Sequence, residues 1–266
     1  MTPTLSPVLI EQSIAYAENN FINDNAKHLH VDKEFIRQNF DLTHKNILDF
    51  GSGMGGMSLW YAQNWDCKVH GVDIDGQHVD IANQLKIKYE LYNVTFEKRD
   101  ITSQQLPPQY TGSFDAIFLN DVAEHIPYPV LDKIFSELYR LLSPKGRIFV
   151  SYPPWQSPYA SHVTRVTHLP WCQFLPQTLL LKWIEKKNIN ISGERESDLV
   201  EAYKGLNHLT HERLMGVTAK AGFKVTTRLS HSLLRKVPIL RGINPRFFPL
   251  HFLISKEIVI LEKIWQ

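Results

Sequence analysis

Between residues 49 and 125 the chain places acidic, amide and glycine residues where apolar runs stop, positions suited to holding a ligand rather than filling a core. Asp49 precedes the run Gly51-Ser52-Gly53-Met54-Gly55-Gly56, Asp73 and Ile74 close the segment that begins at Lys68, Asp100 and Ile101 follow Val94 to Lys98, and Asn120 ends the segment from Phe114. Glycines at such a turn open backbone dihedrals closed to residues with a Cβ and let a ligand lie against the main chain. A helix starting near Gly55 would present unpaired N–H groups to a carboxylate or phosphate. The Asp73 carboxylate is placed to accept two ribose hydroxyls. Further along, His162, His168, His208 and His211 are the groups able to take a proton near neutral pH. His162 is the expected general base, because the turn-like stretch Ser157-Pro158-Tyr159-Ala160-Ser161 returns it soon after a strand end. The histidine spacings match no metal-ligand signature, and no metal site is expected.

These residues need strands to deliver them and helices to back the strands. Ile47 to Phe50, Lys68 to Ile74, Val94 to Lys98 and Phe114 to Asn120 read as strands, and Leu141 to Val150 as a helix end, a turn and a fifth strand. Helical periodicity covers Val8 to Asn23, Gly55 to Asn64, Gln77 to Glu90 and Val130 to Leu142. The first of these is expected to close over the cofactor, with Tyr16 and His28 as candidate pocket residues. From Tyr152 to Pro176 five prolines interrupt an aromatic-rich stretch, which therefore cannot be one helix. A helix near Thr178 to Lys187 and a polar loop at Ser192 to Asp198 follow. A helix from Thr210 to Ala221 ends at Gly222, a sixth strand spans Phe223 to Leu229, and a seventh spans Leu253 to Leu261.

The glycine run is similar both to the dinucleotide fingerprint Gly-x-Gly-x-x-Gly and to the first motif of class I S-adenosylmethionine (SAM) methyltransferases. Four further segments favour the second family. They are Asp49 before the first glycine, Arg99-Asp100-Ile101 after the third strand, Phe114-Asp115 leading through Asn120 to Glu124-His125-Ile126, and Leu141-Leu142-Ser143-Pro144-Lys145-Gly146. Lys145 stands where that last motif has a glycine. The resemblance covers residues 40 to 150. It implies an α/β fold, a doubly wound seven-stranded Rossmann-like sheet with strand 7 antiparallel and a cap inserted after strand 5. It implies SAM as cofactor and S-adenosylhomocysteine as its product. The cofactor would be held by Asp49, Gly51, Gly53, Asp73, Ile74, Asp100, Ile101 and Asn120. Asp49 would orient the glycine loop and the bound amino acid, and Asp100 would meet the adenine amine. His125 is read as structural.

The expected organisation is a lid helix and cofactor-binding core over 1–150, a substrate-binding cap over 151–208, and the rest of the core over 209–266 with a basic, apolar connection between strands 6 and 7. From Arg213 to Lys256 there are nine Lys and Arg residues and no Asp or Glu, whereas the chain before it carries nineteen basic and twenty-five acidic residues. The net charge of +2 hides this asymmetry. Basic residues among apolar ones suit an anionic membrane surface or an anionic substrate; nucleic acid is disfavoured, since no RNA-binding module accompanies the charge. Cys67 and Cys172 show no disulfide framework. Met1 to Asn20 lacks the basic start and apolar core of a signal peptide, so a cytoplasmic protein, with peripheral membrane contact left open, is expected. The functional expectation is methyl transfer to a small-molecule acceptor, at an oxygen of a secondary metabolite or sugar-containing precursor. A membrane quinone or lipid intermediate is the alternative acceptor. A nicotinamide-dependent oxidoreductase and a non-catalytic SAM-binding protein are the other readings.

Overall fold

In a computed structural model that describes residues 7–187 and 196–264, the strands form one seven-stranded sheet. Two helices, α1 (Pro7–Ile22) and α2 (His30–Asn39), precede it. The alternating core then runs β1 (Asn46–Phe50), α3 (Gly56–Asn64), β2 (Lys68–Asp73), α4 (Gly76–Lys88), β3 (Val94–Lys98), β4 (Phe114–Asn120), α5 (Tyr128–Leu141) and β5 (Leu142–Tyr152). The insertion carries α6 (Thr164–Thr167), α7 (Gln177–Lys187) and α8 (Glu196–Gly205), and the chain finishes with α9 (His211–Lys220), β6 (Phe223–Ser232) and β7 (Ile254–Lys263). Strand order is β3-β2-β1-β4-β5-β7-β6, and β7 runs antiparallel to both neighbours. The order reverses direction at β1, so the carboxyl ends of β1 and β4 flank the crevice where open α/β sheets bind ligands.

Strands buried on both faces are apolar at successive positions, as in Ile117-Phe118-Leu119, all fully buried. Alternation sends Phe118, Phe149 and Ile260 to a layer made with α1, α2, α3 and α4, and Ile117, Ile148 and Val259 to a layer made with α5 and α9. The insertion has a small core of its own, in which Val163, Val166, Cys172, Leu180, Ile184 and Tyr203 meet.

The sixth strand extends beyond its predicted end at Leu229 because His231 and Ser232 keep pairing with Lys256 and Ile254 across a register shift. The predicted polar loop at Ser192 to Asp198 lies partly outside the described residues, and its last three positions instead open α8. The fifth strand begins directly at Leu142, without the expected intervening turn, because Leu142 already pairs with Phe114 before the register shifts.

The N-terminal helices are fastened by charge as well as by packing. Lys33 of α2 is buried and donates to the carbonyls of Asn20, Phe21 and Asn23, capping the otherwise unpaired C-terminal end of α1. Glu18 of α1 accepts from Lys88 and Tyr89 beside α4. A second lysine locks the carboxyl edge of the sheet. Lys256 Nζ of β7 lies 2.7 Å from Asp32 of α2, 2.8 Å from Asp121 just after β4, and 3.0 Å from the His28 carbonyl. Ser151 at the end of β5 donates to the same Asp32 oxygen. Burial alone would lower the Lys256 pKa, but Asp121 and Asp32 together outweigh it and hold the ammonium above its ordinary range.

Removing a charge from a buried cluster costs more than the cluster contributes net, because the partners are left without a countercharge. Lys256→Met is therefore expected to lower unfolding stability by about 3 kcal/mol, measured by urea denaturation, and adding Asp32→Asn should recover part of that loss.

Candidate active site

The glycine turn is shaped by contacts that a Cβ would disrupt. Gly51 has φ +71°, and a Cβ there would come within 2.7 Å of the Val122 side chain, so the loop after β4 packs directly on the turn after β1. Gly53 has φ +52° and would meet nothing within 4 Å, leaving its face bare. Its N–H donates to Asp73 Oδ2 at 2.7 Å, and Asp73 Oδ1 accepts from the Asp75 N–H at 2.9 Å. Burial would raise the Asp73 pKa, but His78 and these backbone donors outweigh it and keep the carboxylate ionised. Each carboxylate oxygen still has lone-pair capacity for a hydroxyl.

Asp49 is buried at the end of β1 and accepts from the Ser58 hydroxyl of α3 at 2.5 Å. Burial pushes its pKa up to about 7 against that hydrogen bond, so a carboxyl sits here without a cation to hold it ionised. Ile74 follows the strand end and is 66% exposed, an uncovered apolar side chain beside a polar loop. Asp100 accepts from Thr102 and Ser103 and organises its own turn, with Ile101 buried behind it. Asn120 accepts from the Tyr61 hydroxyl at 2.8 Å. The eight residues predicted to hold a cofactor thus come from the ends of β1, β2, β3 and β4, on one edge of the sheet.

That edge also carries a cluster that sequence spacing did not reveal. Glu124 lies two residues beyond Val122, in the short 3-10 turn Ala123–His125. Its Oε1 is 3.6 Å from His162 Nε2, and the His125 and His162 rings meet edge-on at 4.8 Å. Glu124 is almost wholly buried, and burial pushes its pKa up to about 8. One nitrogen or oxygen from each of Glu124, His125 and His162 falls within 4.8 Å of the others, a grouping that could also take a divalent cation. The Glu124–His162 pair had no sequence signal, since α5 and β5 lie between its members in the chain; only the short Glu124-His125 motif pointed here.

Asn207 holds the cap to this turn: its side chain donates to the Ala123 and Ile126 carbonyls, and its N–H to the Glu124 carbonyl. The other histidines go elsewhere. His208 stacks on Trp155 at 3.9 Å, His168 is exposed at the end of α6, and His211 is drawn towards Tyr152, with burial pushing its pKa down to about 4. Tyr16 and His28 do meet, the hydroxyl 3.0 Å from Nε2, on the exposed side of α1. Asp32 and Lys256, which tie Asp121 and Ser151 to this edge, carried no motif in the sequence.

Residues 47–146 match the family model of a methyltransferase domain. Over 108 residues the chain is 28% identical to a phosphoethanolamine N-methyltransferase of Plasmodium falciparum, covering 41% of this chain and 39% of that protein. Over 133 residues it is 29% identical to a sterol 24-C-methyltransferase of Candida albicans, covering 49% of this chain and 33% of that protein. The matched stretch thus spans about two fifths or less of these relatives' length. A solved phosphoethanolamine N-methyltransferase 2 of Haemonchus contortus, in complex with S-adenosyl-L-methionine, superposes with a TM-score of 0.61 at 18% identity over 96% of this chain and 57% of that one, a likeness of fold. The bare face of Gly53, the ionised Asp73 and the uncovered Ile74 fit a ligand with a polar sugar and a flat apolar ring, and Asp49 offers a carboxyl to a cationic amino group. Residues 47–146 are thus similar in sequence to a methyltransferase domain, and the whole chain shares its fold with a methyltransferase solved with S-adenosyl-L-methionine bound.

Proposed function

We propose that the protein transfers a methyl group to an oxygen of a small-molecule acceptor, a hydroxyl or carboxyl of a secondary metabolite or sugar-containing precursor, and that His162 is the general base. The Glu124–His162 pair carries this reading, because Glu124 stands on the loop that packs against the glycine turn and brings His162 to it. When bound, S-adenosylmethionine supplies an electrophilic methyl on a sulfonium centre. Gly51, Gly53 and Asp49 would hold its amino acid part, Asp73 the ribose, Ile74, Asp100 and Ile101 the adenine, and Asn120 the region between.

Held 3.6 Å from Glu124, the His162 imidazole would accept the acceptor's hydroxyl proton as oxygen takes the methyl group. Residues 151–208 would be the substrate-binding cap. Asn207 holds that segment beside the Glu124 turn and the Trp155–His208 stack joins its two ends, where it would exclude water. The exposed apolar side chains between β6 and β7 favour a second acceptor class, a membrane quinone or lipid intermediate. The relatives named for sterol and phosphoethanolamine methylation support a small-molecule acceptor of either kind.

Calorimetry should show SAM binding and no NAD binding, and Asp73→Ala should weaken SAM roughly tenfold, the scale of one lost charge-assisted hydrogen bond. NAD binding in place of SAM would overturn the assignment. His162→Ala is expected to lower kcat by about 10²-fold or more while leaving the SAM Kd unchanged. A chelator should leave turnover of the wild type intact; loss restored by a divalent cation would mean that Glu124, His125 and His162 bind metal instead.

Asp49 makes a prediction for the ligand-free protein. Its folded pKa of about 7 lies above its ordinary 3.8, so its stabilising effect is complete below pH 3.8 and is lost as pH rises towards 7. Asp49→Asn lacks this dependence. The stability of the variant relative to wild type should therefore increase between acid and neutral pH, by up to about 4 kcal/mol. Urea unfolding of both proteins across that range measures it, and a flat difference would show Asp49 ionised in the fold.

A further inference from the structure

Residues 233–253, the connection between β6 and β7, leave the sheet at the same edge as the site. Ser232 faces Ile254, and the next pairs inward join β7 to Tyr152 at the carboxyl end of β5. The connection is built of three short 3-10 turns, and its apolar side chains face outward: Ile239 is 88% exposed, Phe248 82% and Phe247 68%. Burying side chains of this size is favourable, so their common exposure on one connection calls for a partner.

The charge beside them indicates which partner. Arg235, Lys236, Arg241 and Arg246 are exposed on the same connection, within the acid-free stretch from Arg213 to Lys256. Arg235, Arg241 and Arg246 line a cavity of about 310 Å³ together with Ser230, Ser232 and Asn244. The hydrogen bonds of two of these guanidinium groups go to neutral oxygens: Arg241 to the Arg235 carbonyl, and Arg246 to Ser230 Oγ and the Arg228 carbonyl. Glu257, which accepts from Ser230 on the cavity wall, is already paired with Arg228 at 2.7 and 3.0 Å. An arginine-lined cavity rimmed by exposed Ile and Phe matches an anionic headgroup above acyl chains. A nucleic acid would find the charge but no use for outward aliphatic side chains.

We infer that residues 233–253 dock the protein on an anionic lipid bilayer, with Ile239, Phe247 and Phe248 entering the interface and the cavity of Arg235, Arg241 and Arg246 receiving a phosphate headgroup. The cap rests on this connection. Trp171 Nε1 donates to the Phe252 carbonyl at 3.1 Å, and the Phe174 and Phe252 rings are 6.1 Å apart. Docking there brings the cap to the membrane surface. The inference goes beyond the methyl transfer proposed above, and its test needs no methyl acceptor.

Three forms of the full chain are compared by co-sedimentation with vesicles of phosphatidylcholine alone or mixed with phosphatidylglycerol: wild type, Arg235→Gln/Lys236→Gln/Arg241→Gln, and Phe247→Ser/Phe248→Ser. SAM binding by all three serves as the folding control. Wild type should bind the anionic vesicles at least tenfold better than the neutral ones, with the preference falling as salt rises. The charge variant should lose that preference, and the phenylalanine variant should lose the binding that survives high salt. Absence of wild-type binding at low salt, equal binding by all three proteins, or tighter binding to RNA than to vesicles would each overturn it. So would a wild-type dimer that the phenylalanine changes convert to a monomer without vesicle binding, since a second copy would then cover the face.

Discussion

Lys256 is the constraint on which the carboxyl edge of the sheet depends. An ammonium group taken out of water is tolerated only where its charge and its donors are met, and here Asp32, Asp121 and the His28 carbonyl meet them. Those partners come from α2, from the loop after β4 and from the chain just before α2, while Ser151 adds the end of β5 through Asp32. One buried charge therefore fixes where the N-terminal helices sit relative to β4, β5 and β7. Asp121 leads into Val122 and Glu124, so the position of the cluster also sets the loop that touches Gly51 and faces His162.

Around that point the acidic groups of the site are held in different states by different surroundings. Asp73 keeps its charge because backbone N–H groups and His78 offset its burial. Asp49 and Glu124 are buried with less compensation and rise to about 7 and about 8. Carboxyls on one edge of the sheet thus differ in proton affinity, the kind of divergence found where ligands bind and protons move. The cap contributes through its own small core and through Asn207, which joins it to the Glu124 turn.

The two sides of the cap do different things. One side meets the Glu124 turn, and the other rests on the connection between β6 and β7, whose outward face is basic and apolar. Because β7 inserts antiparallel between β5 and β6, this connection emerges at the ligand edge of the sheet instead of the opposite one. A parallel seventh strand would instead make it cross the sheet from this edge to the opposite one.

The sequence by itself determined the strand and helix succession, the glycine turn and the polar residues at the strand ends, because these depend on neighbours within a few positions. Val94–Lys98 and Phe114–Asn120 could be read to the residue from apolar runs bounded by polar ones. It also displayed the acid-free stretch, though not which way its side chains point. The tertiary structure alone decided that Glu124 meets His162, that Lys256 joins Asp32 to Asp121, and that β6 continues to Ser232. Each of these is a contact between residues distant in the chain. A local pattern states how a segment is patterned towards water and core, but long-range packing chooses which segments face one another. In this protein the glycine turn follows from the first, while the Glu124–His162 pair and the placement of the basic connection follow from the second.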